Sequence, residues 1–170
     1  MLLWYKNGIR DGMFGYLQRL LPMRALTRLA GFLASRHLGA VTRWFIGRFI
    51  RYYSVNMREA DQPDWLQYAT FNDFFTRRLK STVRPIDPGA KVAVSPVDGR
   101  VGASGYVRHG TLMQVKGRYY SLSAMLALQC GPAERFEGGR FITAYLSPAD
   151  YHRVHMPLAG SLRKMTYVPG

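Results

Sequence analysis

Two of the chain's four histidines, His152 and His155, stand three residues apart in the segment YLSPADYHRVHMP, with the carboxylate Asp150 just before them. Imidazole is the side chain best suited to moving protons near neutral pH, so this spacing points to chemistry. A second segment, Ser95-Pro96-Val97-Asp98-Gly99, places a carboxylate on a tight turn between valine-rich runs. Three readings fit these residues. His152 and His155 can converge on a metal with a carboxylate as third ligand, although no HExxH or CxxC accompanies them. Both can be structural, bonded to backbone at a turn. Or Asp98 can orient a histidine that serves as base toward a nucleophile. The third reading needs a Ser, Thr or Cys that the motif does not supply.

The elements that must position these residues differ along the chain. Residues 14 to 53 read as helices interrupted near Pro22 and around Gly39. In the later helix Leu38, Val41, Phe45, Phe49 and Tyr52 recur at spacings of three and four, with Arg36 and Arg43 on the opposite side. Ile46 and Ile50 break up that polar side, which suits a helix touching apolar material on more than one face. After the breaker Asp61-Gln62-Pro63-Asp64, Thr70 is placed to cap a short helix with Asp73 at its third position, and Phe71, Phe74 and Phe75 share a face toward a core. From about Arg84 the pattern turns to β. Val92 and Val94 lead into the Asp98 turn, Val101 resumes, and His109-Gly110 marks a turn before Leu112 to Val115. Ser121 or Ser123 can cap a helix running to Leu128. Glu137-Gly138-Gly139 then precedes a strand over 140 to 146, so the histidine motif begins where a strand ends.

Composition narrows the partners. Lys and Arg number 24 against 10 acidic residues, a formal net charge of +14, which calls for a partner rich in phosphate or carboxylate. The excess is densest in residues 1 to 53, where nine basic residues face one acid, Asp11. There it is interleaved with Leu, Phe, Trp and Tyr, the mixture of an amphipathic surface rather than of a disordered nucleic-acid tail. Cys130 is the sole cysteine, so no intrachain disulfide forms and a reducing compartment is the default. No secretion signal is read at the N-terminus, and no charge-free apolar run approaches the roughly 18 to 20 residues that span a bilayer. Membrane contact is expected to be peripheral.

Several segments together resemble the bacterial phosphatidylserine decarboxylase proenzyme family: TFNDFFTRRL (70–79), VRPID (83–87), SPVDG (95–99), KGRYYSL (116–122), YLSPADYHRVHMP (145–157) and YVPG (167–170). The resemblance runs from about residue 14 to the end, and DYHRVHMP is its most specific part. It implies a pyruvoyl enzyme whose precursor cuts itself before a serine, which becomes the covalent pyruvoyl group of a small α chain. By motif, Asp98 and His155 form the charge relay to that serine, and His152 assists proton transfer during decarboxylation of phosphatidylserine to phosphatidylethanolamine through a Schiff base. The family's Gly-Ser-Thr cleavage motif is absent from this sequence, so the chain is expected to be the N-terminal portion of the β chain, inactive alone.

The resulting expectation is an α+β protein: a basic, amphipathic, membrane-associating helical segment over residues 1–60, then a partial β-rich catalytic core over 61–170, truncated at its C-terminal end. Its expected partners are phosphatidylserine, an anionic membrane surface and the pyruvoyl-bearing α chain, at the cytoplasmic face of the inner membrane, with a homo-oligomer left open. No metal and no nucleic acid enter this reading. The rival is a non-enzymatic basic module that binds membrane or nucleic acid.

Overall fold

The computed structural model describes residues 23–89, 91–114, 118–126, 133–163 and 165. Helices come first and strands later, an α+β arrangement. Helix α1 covers Met23–Ala34 and α2 covers Ala40–Tyr53. The break between them closes at Gly39, whose φ of +58° is a conformation glycine adopts without steric cost. Residues 14–22, expected to be helical, lie outside the described residues, as do Cys130 and the YVPG segment.

Helix α2 and the short helix α3 (Phe71–Phe75) build the main core. Phe74 and Ile46 are fully buried. Phe49 is the hub, with edge-on or tilted contacts to Phe71, Phe74 and Phe75 at ring separations of 5.2, 5.8 and 6.1 Å. Edge-to-face contact suits the ring quadrupole and adds to the area term of burying large aromatic groups. The inward side of α2 therefore runs through Thr42, Ile46, Phe49 and Ile50. Of the stripe Leu38, Val41, Phe45, Phe49 and Tyr52 expected from periodicity, Phe49 packs inward, while the rest is mostly outward, with Val41 62% and Tyr52 77% exposed. The helix is apolar on two sides, and periodicity alone does not say which side the aromatic partners will cover. On α1, Leu26, Leu29, Phe32 and Leu33 form an exposed stripe that belongs to neither buried cluster of the described residues.

The cap of α3 forms as expected, with one difference. Thr70 Oγ1 accepts the Asp73 N–H at 3.0 Å, but the Asp73 carboxylate takes the Thr70 hydroxyl at 2.7 Å instead of the Thr70 backbone N–H. Asp is one methylene shorter than the Glu of a full capping box, so it stops at the nearer donor.

Among the described residues the β part consists of two antiparallel ribbons. Strand β1 (Arg100–Tyr106) pairs with β4 (Arg140–Tyr145), and β2 (Thr111–Gln114) pairs with β3 (Arg118–Ser121). The turn between β1 and β2 puts both His109 and Gly110 at positive φ, 52° and 63°, a primed hairpin geometry that matches the strand twist. Glu137 fixes this turn by accepting the backbone N–H groups of His109 and Gly110. Those two bonds lower its carboxyl pKa below the ordinary value. Ser121 caps helix α4 (Leu122–Met125), and Leu122 packs with Val107 in a second small core. Helix α4 ends short of Leu128, which is outside the described residues.

Two outcomes follow. Ile46→Ala should cost about 2–5 kcal/mol in urea unfolding, whereas Val41→Ala should stay within about 0.5 kcal/mol; equal costs would show that the inward face is misassigned. The stabilisation from Glu137 should be present above the ordinary glutamate pKa and fade as pH falls through the lowered folded value. Glu137→Gln should therefore flatten the acid side of the stability profile, lying below the wild type at pH 8 and converging with it at low pH.

Candidate functional site

Asp98 and the histidine motif are brought together by the register of β1 and β4. Arg100 opposes Tyr145, so the residues just before β1 and just after β4 emerge at the same end of the ribbon. Gly99 makes the join possible. Its φ is +134°, and a Cβ there would collide with the Tyr145 carbonyl oxygen. Beyond the ribbon the two segments continue side by side: the His155 N–H donates to the Pro96 carbonyl at 2.8 Å and the Val94 N–H to the Pro157 carbonyl at 3.0 Å.

Asp98 and His155 consequently line one cleft of about 300 Å³, together with Arg84, Ser95, Tyr151 and Met156. No hydrogen bond joins Asp98 to His155 among the described residues. Asp98 is gripped by Arg84, whose Nε reaches Oδ1 and Oδ2 at 3.1 and 3.0 Å and whose Nη2 reaches Oδ2 at 2.7 Å. Hydrogen bonding to the Asp98 carboxylate, ahead of all other effects, raises the Arg84 pKa above its already high value. His155 Nε2 lies 2.9 Å from the Tyr151 hydroxyl, with the two rings stacked at 5.5 Å.

His152 sits apart from this cleft. Its Nδ1 is 2.9 Å from the Asp150 carbonyl, which can only accept, so Nδ1 carries the proton and Nε2 of the neutral ring is left as an acceptor. The ring lies against Phe75 at 4.0 Å. The motif is tied to the helical body at two further points. Arg77 Nη2 donates to the Ala149 carbonyl at 3.0 Å, and Arg153 Nε donates to the Thr76 carbonyl at 2.6 Å. Arg77 is only 4% exposed, and its Nε and Nη1 find no partner among the described residues. Burial accordingly pushes its pKa down from the usual arginine value. Asp150 serves the local turn, accepting the Ser147 N–H at 2.6 Å. No group of three His, Cys, Asp or Glu placed to hold a metal occurs among the described residues.

Sequence reasoning named Asp98, His152 and His155 but passed over their supports: Arg84, Glu59, Tyr151, Phe75, Arg77 and Arg153. Phe75 was read as a core anchor only. Tyr151 sits four residues before His155, and that spacing alone carries no signal outside a helix.

A sequence model described as phosphatidylserine decarboxylase matches residues 71–170. The chain belongs to that family. A second model, described as PSD, matches residues 13–54. Over 154 residues, 91% of this chain, it is 50% identical to the phosphatidylserine decarboxylase proenzymes of Hamiltonella defensa, Shewanella sp. strain MR-4 and Escherichia coli O9:H4. The alignments cover 54%, 53% and 48% of those proteins, so the chain spans about half the length of the curated relatives it matches.

The tethers give a direct test in this family member. Arg153→Ala removes a charged donor from the Thr76 carbonyl and should lower stability by about 1.5–3 kcal/mol. Limited proteolysis should then cut between residues 147 and 157 sooner than in the wild type; unchanged cutting there would mean that the tether does not hold the motif.

Proposed function

We propose that this chain forms the N-terminal part of a phosphatidylserine decarboxylase that makes its own pyruvoyl group by serine-dependent self-cleavage and converts phosphatidylserine to phosphatidylethanolamine. The observation that carries this reading is the shared cleft of Asp98 and His155, where His155 Nε2 lies 2.9 Å from the Tyr151 hydroxyl. A serine hydroxyl taking the place of that phenol would meet the base that activates it. The donor set fits a group generated from serine: a carboxylate and an imidazole on one open cleft, with the imidazole half of the pair exposed to an incoming chain.

In this reading His155 takes the proton of the attacking hydroxyl at Nε2, and the Asp98 carboxylate stabilises the imidazolium that results. His152 acts later. With Nδ1–H held by the Asp150 carbonyl, Nε2 is the atom that takes up a proton from solvent and then delivers it to the carbon left by carbon dioxide. A pyruvoyl group, when present, would supply an electron sink. The serine and the α chain that bears the group come from sequence outside residues 1–170, as does the remainder of the core assigned here to 61–170.

Residues 1–60 are assigned the membrane contact. Leu26, Leu29, Phe32 and Leu33 on α1, and Val41, Trp44 and Tyr52 on α2, are exposed beside Arg28, Arg36, Arg43, Arg48 and Arg51. Apolar groups can enter the interface while arginines attract anionic headgroups. Among the described residues no helix is long and apolar enough to cross a membrane, and the assignment is peripheral, on the cytoplasmic face of the inner membrane.

Expressed from its complete reading frame, the wild type should give two chains by intact mass. His155→Ala should remain uncut, while His152→Ala should be cut yet release carbon dioxide about a hundredfold more slowly. Equal cleavage by both variants would overturn the division of roles. Vesicle flotation should show binding to phosphatidylglycerol-containing membranes that weakens with salt; equal binding to purely zwitterionic vesicles would remove the membrane assignment.

A further inference from the structure

We propose that Arg84, braced by Glu59, is the residue that positions the Asp98 carboxylate for His155. The inference rests on the self-cleavage reading above and adds to it a residue with no direct contact to the reacting atoms.

Every guanidinium nitrogen of Arg84 is engaged. Nε and Nη2 fork onto Asp98, Nη2 also reaches Glu59 Oε2 at 3.1 Å, and Nη1 donates to the Val83 carbonyl at 3.1 Å. Its backbone is restricted as well, because Pro85 follows and disfavours helical geometry at residue 84. Glu59 is fixed in turn. Its Oε1 takes the Asn56 side-chain N–H at 2.8 Å, and Asn56 caps the short 3-10 turn Met57–Glu59. An unbroken line of contacts thus runs from the helical body to Asp98 across the beginning of the β part.

The grip leaves the needed valence free. An ionised carboxylate offers about four acceptor directions. Arg84 directs two contacts to Oδ2 and one to Oδ1, so Oδ1 keeps the larger share of free acceptor capacity. On the other wall, His155 has Nε2 on a hydroxyl, and Nδ1 has no protein partner among the described residues. A relay uses those two atoms: the carboxylate meets Nδ1–H and Nε2 meets the nucleophile. Fixing both carboxylate oxygens at once is what the two-pronged planar guanidinium does and a lysine ammonium does not. Stability alone does not account for the network, since Arg84 and Glu59 are substantially exposed and exposed ion pairs contribute little.

The test uses the protein expressed from the complete reading frame that holds this chain, following self-cleavage by intact mass over time, with a melting curve for each variant. Arg84→Met should slow cleavage about tenfold or more at an unchanged Tm, Arg84→Lys should recover part of the rate, and added methylguanidinium should partly rescue Arg84→Ala. In an Asp98→Asn background, Arg84→Met should add nothing, because the group it positions is already gone. Should Arg84→Met unfold, Glu59→Gln provides the milder cut, and it should slow cleavage to an intermediate rate. Wild-type speed in Arg84→Met or Glu59→Gln, or additive losses in the Asp98→Asn background, would overturn the inference and leave the function standing. A wild type that never cleaves would overturn both.

Discussion

The pairing of β1 with β4 is the constraint on which the site depends. Asp98 and His155 are far apart in sequence, and loop closure over that span carries an entropic cost that local contacts cannot offset. The ribbon absorbs it once, through a ladder of backbone bonds from Arg100–Tyr145 to Tyr106–Arg140. After that, the flanking segments need only a few bonds to stay aligned. Gly99 is the point where this economy would fail, because any side chain there would force the ladder's end apart.

The helical half contributes through aromatic packing. Phe49 joins α2 to α3, Phe75 joins α3 to His152, Arg77 holds the same loop by the Ala149 carbonyl, and Arg153 reaches from the loop to the Thr76 carbonyl. These contacts make the loop after β4 a fixed part of the fold, although it has no regular secondary structure. Its order comes from side chains reaching backbone groups, which is the usual way an irregular segment satisfies its buried polar atoms.

Much of this was legible in the residues. The break at Gly39, the Thr70 cap, the His109-Gly110 turn and the strand over 140–145 all rest on local chemistry, and local chemistry is written locally. The inward face of α2 was legible only at Phe49, because the other members of its stripe, Leu38, Val41, Phe45 and Tyr52, compete with Ile46 and Ile50 and only the position of α3 decides between them. At the site, the histidine pair and the turn aspartate stood out by type and spacing. Arg84 and Glu59 did not, since an ion pair between distant residues leaves no periodic trace. Tyr151 was hidden for a similar reason: its hydroxyl reaches His155 only because the backbone there is extended and irregular.

His152 and His155 share one short loop, yet they are mounted on different foundations. His152 leans on Phe75 and hence on the packed helices, whereas His155 is fastened by its backbone to Pro96 and hence to the β ribbon. A strain entering through the outer helices is therefore felt first by one imidazole, and a strain entering through the ribbon by the other. Three residues of chain separate two imidazoles that different parts of the fold hold in place.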